Sequence, residues 1–391
     1  MIQTNKKLKV LDLFAGAGGF GLGFGLADAN YEVICSLEMD KWAADTLKEN
    51  NHHLIINDSI TNYDTKDKIF KSLPDRPDII IGGPPCQGFS LAGRRNKEDS
   101  RNKLYLQYFN WVKILMPKVF IIENVSGILT FKTENGEKVI DEIRDKFKGI
   151  GYEVNIWKVN ASEYGIPQNR NRVFVIGHIG GIHIPKPAIT HSMTDGSLLR
   201  PITVGEAILD LPTIVSSGGA DIADYDKVAD NQYQIWCRSN SEKVFNHEAM
   251  KHTPRMISRY EKIIGGEKLN SLTDDLKVRK RNGQGVLSDV NYSLNYRHLK
   301  SDVPAFTIPA HFYSSFIHPL IPRNITTREA ARLQSFPDSY KFMGKRTMIS
   351  SSLLKKLGKE ELNHLSQYNQ VGNAVPPLLA FKIAEHIKKY I

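Results

Sequence analysis

Residues 77–90 read Pro-Asp-Ile-Ile-Ile-Gly-Gly-Pro-Pro-Cys-Gln-Gly-Phe-Ser. The apolar run at 79–81 predicts a buried strand, which the glycine pair at 82–83 would end. Two prolines restrict the backbone before Cys86, so the thiol would be held in one place. Reacting groups of α/β folds lie at the carboxyl ends of parallel strands, and this position therefore favours a catalytic cysteine. Most single cysteines are small buried apolar residues, so the surrounding pattern has to decide between the two.

Strand and helix patterns alternate on both sides of that stretch. Apolar runs predict strands at 9–14, 31–37, 54–56, 119–122 and 173–177, and helical patterns fall at 42–50, 104–116, 139–147 and 377–390. This alternation predicts an α/β fold with a doubly wound, mixed but mostly parallel sheet. Five candidate site residues would follow strand ends and therefore converge on one crevice. They are Phe14, Glu38, Asp58, Cys86 and Glu123.

The pattern becomes irregular after about residue 177, where prolines and polar residues interrupt the alternation. We expect a catalytic and cofactor-binding domain at 1–185 and a smaller, irregular domain at 186–345. The remainder, 346–391, would hold an insertion and a helix that returns to the first domain. A helical pattern at 348–367 is typical of a surface insertion, and an added DNA or protein contact is the alternative.

Composition narrows the class of protein. The 391 residues carry a net charge of +10, which suits a nucleic-acid partner or simply a basic surface. Three cysteines without CxxC or Cys/His spacing argue against a zinc site or disulfides, and the scattered histidines predict no metal. We find neither a signal peptide nor an apolar run of the ~18–20 residues that a membrane span needs. A cytoplasmic protein is the expectation, since cysteines without disulfide spacing suit a reducing compartment.

A glycine-rich turn follows the first predicted strand. It reads Ala-Gly-Ala-Gly-Gly-Phe-Gly at 15–21, which is neither the dinucleotide fingerprint nor a P-loop. Glu38 could accept hydrogen bonds from ribose hydroxyls, and Asp58 from an adenine amino group. Either acidic residue alone is more often a helix cap. Two at successive strand ends, with Phe14 available to stack on a base, favour an adenosine ligand.

These residues carry a close resemblance to the cytosine-C5 DNA methyltransferase family of bacterial restriction-modification type. The resemblance spans nearly the whole chain except roughly 190–290. Its motifs, in order, are DLFAGAGGFGLG (12–23), Glu38, Asp58, GGPPCQGFS (82–90), SRNKL (100–104), ENV (123–125), QNRNR (168–172), REAARLQ (328–334) and QVGNAVPP (370–377). It implies a Rossmann-like fold, S-adenosyl-L-methionine as cofactor, and methyl transfer to carbon 5 of a cytosine flipped out of duplex DNA.

The resemblance also implies roles for single residues. Cys86 would add to carbon 6 of the ring, so that carbon 5 becomes nucleophilic. Glu123 would contact ring nitrogen N3 as a proton or hydrogen-bond donor. Arg172, with Arg170 beside it, would favour the thiolate, and Asn124 would hold the local geometry.

The cofactor residues follow by position in the same motifs. Phe14 would stack on the adenine, Glu38 would hold the ribose and Asp58 the exocyclic amine. The backbone at Gly16, Gly18 and Gly19 would approach the methionine part, and Pro85, Leu104, Asn373 and Val375 would close the pocket.

DNA contacts are expected from two regions. The segment at 87–103 would close over the flipped base, with Arg94, Arg95 and Lys97 as candidate phosphate contacts. Thr307 matches a short pair at the recognition end of the family. Basic and aromatic residues of the irregular domain suit contacts in a DNA groove, although a solvated basic face would read the same.

Three other functions remain open at this point. The same chemistry on tRNA is one, although the long irregular region favours DNA. A non-catalytic DNA-binding module is another, although it would need neither Cys86, Glu123 nor Arg172. A nicotinamide dehydrogenase lacks its fingerprint here. We expect a monomer, with any cognate restriction endonuclease acting separately.

Overall fold

The computed structural model describes residues 6–27, 30–85, 104–132, 136–280, 285–288, 292 and 295–391. Within them, no helix is long and apolar enough to cross a membrane, and no group of three or more His, Cys, Asp or Glu side chains could hold a metal ion. The chain forms two compact units, one from Met1–Arg200 with Ala374–Ile391 and one from Pro201–Asn373.

These borders lie later in the chain than the sequence indicated. Residues 186–200 stay with the first unit because Thr190 and His191 both donate from their backbone amides to the carbonyl of Glu163. Residues 346–373 belong to the second unit, where the side chain of Gln334 donates to the carbonyl of Val371. The proposed domain borders at 185 and 345 therefore fall inside the two units.

The first unit is a seven-stranded sheet with helices on both faces, which confirms the predicted α/β class. Numbered in chain order, its strands are β1 (Leu8–Leu13), β2 (Tyr31–Leu37), β3 (Leu54–Ile56), β4 (Ile79–Gly82), β5 (Val119–Val125), β6 (Tyr152–Asn160) and β8 (Asn171–Ile179), with the short β7 (Gln168–Asn169) outside the sheet. Its helices up to β8 are α1 (Gly19–Leu26), α2 (Lys41–Asn50), α3 (Lys66–Ser72), α4 (Leu104–Leu115) and α5 (Val139–Lys148). The sheet order is β3-β2-β1-β4-β5-β8-β6.

The sheet is mixed because β8 runs antiparallel to both β5 and β6, while the other neighbours pair in parallel. Strand β4 is buried along its whole length, as expected for a central parallel strand covered on both faces. Side chains of β1 alternate between two apolar layers. Leu11 and Leu13 face the layer that contains Trp111 of α4, and Val10 faces the layer that contains Phe24 of α1.

The second unit contains short helices and strands. These are α6 (Val204–Ile208), β9 (Gly219–Asp224), α7 (Gln232–Arg238), β10 (Lys243–Glu248), α8 (Pro254–Ile264), β11 (Arg297–His298), β12 (Ala305–Phe306), β13 (Phe316–Ile317), α9 (Thr327–Leu333), α10 (Ser351–Leu357) and α11 (Gln367–Asn373). β9 and β10 form an antiparallel pair, and β11 and β13 a parallel one. The helical pattern predicted at 348–367 is interrupted, because Gly358 takes a left-handed conformation and ends α10.

The last helix, α12 (Pro377–Ile387), belongs to the first unit and packs on α1. A side chain on Gly23 of α1 could not fit, because its Cβ would lie 2.3 Å from the Cβ of Ala380 and 2.4 Å from the carbonyl oxygen of Pro377. The buried Tyr31 hydroxyl donates to the Ala384 carbonyl at 2.7 Å. Residues separated by most of the chain thus complete one apolar layer.

Candidate active site

The glycine-rich turn joins β1 to α1 in a strained conformation. Phe14 has a φ of 57°, in the left-handed region that non-glycine residues rarely adopt. Gly16 and Gly18 also have positive φ values, of 56° and 79°, and Gly18 is the N-cap of α1. Such strain, about 1 kcal/mol or more for Phe14, persists where the surroundings enforce it, and it concentrates at binding sites.

Glu38 follows β2 and links the glycine-rich turn to the turn that precedes α2. Its Oε2 accepts from the amide of Gly16 at 2.8 Å, and its Oε1 accepts from the amide of Asp40 at 2.7 Å. The residue is only 8% exposed. Burial raises the pKa of the carboxyl, and the two amide bonds oppose that rise. Glu38 therefore fixes both turns at the edge of the sheet where the predicted nucleoside would lie.

Asp12 is a second carboxyl beneath the turn, which the sequence reading did not single out. It lies within β1 and is 1% exposed. Its Oδ2 accepts from the amide of Gly21 at 3.1 Å, while its Oδ1 has no hydrogen-bond partner among the described residues. Burial raises its pKa to about 8, with a smaller contribution from Glu38. A carboxyl between the buried apolar residues Leu11 and Leu13 of β1 was the signal that could have revealed it.

Asp58 follows β3, as predicted, and is half-buried. Its Oδ1 accepts from the amide of Ser59 and from the side chain of Asn62, both at 2.7 Å. Nearby, the side chain of Asn57 donates to the carbonyl of Glu38 at 2.9 Å. The turns after β2 and β3 are therefore tied together, which brings the predicted ribose and adenine residues to neighbouring positions.

Glu123 and Asn124 lie within β5 rather than past its end. The strand is longer than predicted because it pairs antiparallel with β8, with Glu123 opposite Phe174 and Val125 opposite Arg172. Side chains two apart on a strand share a face, so Arg172 lies diagonally across from Glu123.

The two charged groups form a nearly buried ion pair. Arg172 Nε lies 2.8 Å from Glu123 Oε1, with 12% and 11% of the two side chains exposed. The contact does not meet the geometry of a hydrogen bond, because Oε1 has no hydrogen-bond partner among the described residues. Burial lowers the pKa of Arg172, and Glu123 opposes that change.

The chain that leads to Cys86 begins beside this ion pair. A Cβ built on Gly83 would lie 3.4 Å from Glu123 Oε2. The side chain of Asn124 donates to the Pro84 carbonyl at 3.3 Å and accepts from the amide of Val125 at 2.9 Å. Cys86 itself lies outside the described residues.

The other predicted positions differ in what surrounds them. Arg170 is 1% exposed and donates from Nη2 to the Ala374 carbonyl at 3.1 Å, while burial and the neighbouring Arg172 lower its pKa. In the first unit, Gly19 is the first residue of α1, Pro85 and Leu104 are half-buried, and Val375 is buried. In the second unit, Asn373 ends α11, and Thr307, which follows β12, is half-buried. Arg94, Arg95 and Lys97 fall outside the described residues.

One motif of the resemblance forms the polar interior of the second unit. Arg323 donates through two nitrogens to Glu329, at 2.8 and 2.6 Å. Arg332 binds Asp338 at 2.7 and 2.6 Å and Asp210 at 2.8 Å. All five side chains are at most 2% exposed. These charges hold α9 in place within the unit, because each is paired with an opposite one.

The sequence model described as C-5 cytosine-specific DNA methylase matches residues 8–389. The chain belongs to that family.

Individual proteins are similar to this chain over most of their length. Type II methyltransferase M.DdeI of Desulfomicrobium norvegicum is 41% identical, over 98% of this chain and 89% of the relative. M.AgeI of Thalassovita gelatinovora is 32% identical, over 97% and 99%. A solved structure described as a DNA modification methyltransferase encoded within a prophage (E. coli) has a TM-score of 0.70 at 26% identity, covering 98% of this chain and 99% of that one. The Dnmt2 methyltransferase of S. pombe, with a TM-score of 0.54 at 16% identity, shares the fold.

Proposed function

We propose that this DNA methylase transfers a methyl group from S-adenosyl-L-methionine to carbon 5 of a cytosine within a specific duplex sequence, as the modification enzyme of a restriction-modification system. The observation that carries the proposal is the nearly buried Glu123–Arg172 ion pair, which lies beside the glycine that begins the path to Cys86. The tRNA alternative has less support, because the matching family is one of DNA methylases.

The residues around the glycine-rich turn fit the proposed cofactor. A side chain at Gly16 would meet no atom within 4 Å, so space is open beside the turn. The Glu38 carboxyl, which accepts from the Gly16 amide, lies beside that space, and S-adenosyl-L-methionine carries a sulfonium and an ammonium group. When bound, it would supply an electrophilic methyl group. Phe14, Glu38 and Asp58 would hold its adenosine part.

The reaction would be carried by Cys86 together with Glu123 of β5 and Arg172 of β8. The Cys86 thiolate would form a bond to carbon 6 of cytosine, while Glu123 shares a proton with N3 so that charge does not build up on the ring. Arg172 would position Glu123 and favour the thiolate. Once carbon 5 has gained the methyl group, loss of its proton to a base or water allows the Cys86 bond to break.

Bisulfite sequencing tests this proposal directly. We expect DNA from a methylation-deficient bacterial host that expresses the chain to carry 5-methylcytosine in one short recurring sequence. The Cys86→Ser variant should leave the same DNA unmodified while keeping the melting temperature of the wild type. Unmodified DNA from cells that contain folded wild-type protein would contradict the proposed function. Methylation by the variant would contradict only the role of Cys86.

A further inference from the structure

The loop after β3 folds back towards its own first carboxyl, that of Asp58. A 3₁₀ turn at Ile60–Asn62 follows this residue, and the side chain of Ile60, 3% exposed, anchors the turn in one apolar layer of the sheet. The Asn62 amide donates to the Ser59 carbonyl at 3.0 Å, and the Tyr63 amide donates to the Ile60 carbonyl at 3.2 Å. The turn therefore fixes the backbone of Asn62 and Tyr63 next to Asp58.

Asn62 holds one oxygen of that carboxyl. Its Nδ2 donates to Asp58 Oδ1 at 2.7 Å, and the Ser59 amide donates to the same oxygen at 2.7 Å. Rotation of the carboxyl would stretch or bend both bonds, so the two donors together fix its orientation. Asn62 is exposed, and its side chain bonds to Asp58 alone among the described residues. Its contribution is therefore made to the carboxyl and not to the apolar core.

Tyr63 adds a third donor to the same carboxyl. Its ring packs edge-on against the buried ring of Trp111 in α4, with 5.7 Å between the ring centroids. Burial raises the pKa of the Tyr63 hydroxyl, and the charge of Asp58 and a hydrogen bond to its carboxyl raise it further. The packing of the ring on Trp111 thus holds the hydroxyl where it donates to Asp58.

These contacts leave the carboxyl with room for one further donor. A carboxylate accepts about four hydrogen bonds through its two oxygens. Within the described part of the chain, Ser59, Asn62 and Tyr63 supply three of them. A ligand group at the remaining place has to be a donor, because a second acceptor there would face the oxygen lone pairs. The exocyclic amine of adenine is such a donor, whereas a purine with a carbonyl at that ring position presents an acceptor.

We propose that Asn62 and Tyr63 are positioning residues, which hold the Asp58 carboxyl in the orientation that accepts from the exocyclic amine of adenine. This inference rests on the proposed function, since it takes S-adenosyl-L-methionine as the ligand. Neither residue touches the cofactor in this proposal, because both act through Asp58. Without either one the carboxyl can turn towards water, so the site would lose both affinity for adenine and its preference for an amine over a carbonyl.

Calorimetric titration with two nucleosides tests the positioning. S-adenosyl-L-homocysteine carries the amine, and S-inosyl-L-homocysteine has a carbonyl in its place, so the wild type should bind the first more tightly. Tyr63→Phe, which keeps the ring on Trp111, and Asn62→Ala should each weaken binding of the adenosyl compound about three- to tenfold, as expected for one hydrogen bond. The inosyl compound should bind to these variants no more weakly than to the wild type. Thr61→Ala, at an exposed position of the same turn, is the matched control and should bind both compounds like the wild type.

The outcomes are distinguishable. Equal weakening of both compounds would overturn the positioning role, because it would mean that the substitutions disturb the pocket as a whole. Wild-type affinity for the adenosyl compound in the Asn62→Ala/Tyr63→Phe double variant would overturn it as well. In both cases, binding and methylation by the wild type would leave the proposed function intact. A wild type that binds the two compounds equally would contradict the role of Asp58 and with it the positioning, and one that binds neither compound would also overturn the proposed function.

Discussion

Asp12→Asn should change how the stability of the first unit depends on pH. Burial raises the pKa of Asp12 to about 8 in the folded protein, whereas an unfolded chain releases this proton near pH 3.9. The folded state therefore holds a proton that the unfolded state has lost. Below about pH 4 Asp12 is protonated in both states, so it does not lower the free energy of unfolding. As the pH rises towards 8, that free energy falls progressively. Asparagine has no such dependence.

The size of the effect follows from the width of that window. Each pH unit between the two pKa values corresponds to about 1.4 kcal/mol. From pH 5 to pH 8, the free energy of unfolding of the wild type should therefore fall by about 4 kcal/mol relative to that of the variant. For a unit of this size that is a change of roughly 8–16 °C in the difference between the two melting temperatures. In the variant, the asparagine side chain keeps a buried polar atom at the place of Oδ1, which has no hydrogen-bond partner among the described residues. This lowers the free energy of unfolding of the variant by about 1–3 kcal/mol, an amount that does not vary with pH.

Calorimetry of both proteins at pH 5, 6, 7 and 8 measures this difference. Asp145→Asn is the control, because that side chain is 67% exposed. A gap between wild type and Asp12→Asn that stays constant over this range would refute the reasoning. It would mean that the Asp12 carboxyl is solvated or paired in the folded protein.

Two further substitutions test the packing and the buried charges. Gly23→Ala should lower the free energy of unfolding of the first unit by about 1–3 kcal/mol, since the added methyl overlaps Ala380. Thermal unfolding measures this loss, and the control Gly25→Ala, whose Cβ meets nothing within 4 Å, should leave the unfolding midpoint nearly unchanged. Equal shifts of the midpoint in the two variants would contradict the close approach of α1 and α12. Glu329→Gln should lower the free energy of unfolding of the second unit by about 3–5 kcal/mol, because it leaves Arg323 buried without its counter-charge. A melting temperature within 2–3 °C of the wild type, which corresponds to about 1 kcal/mol or less, would argue against that pairing.

The sequence predicted most strands of the first unit because their apolar runs are continuous and end in glycine or a polar residue. It missed β6, Tyr152–Asn160, whose apolar residues alternate with polar ones along an edge of the sheet. It also placed Glu123 beyond β5, because the antiparallel partner that extends this strand lies some 50 residues later in the chain. An edge strand and a long-range partner leave little trace in local periodicity.

The candidate site shows the same limit. Glu38 and Asp58 were predicted as site residues because they follow apolar runs directly. The buried ion pairs could not be found in this way, since Arg332 meets Asp210 from 122 positions away.

The packing of α12 on α1 has a consequence for how the protein is made. Residues 201–373 must all leave the ribosome before α12 is available, and at ordinary rates of synthesis this takes roughly 10–30 s. During that interval the nascent first unit exposes the apolar face of α1 that Ala380 and Ala384 later cover. A chaperone that binds apolar segments would have its longest opportunity there, and a chain that stops before α12 would remain a target for proteolysis.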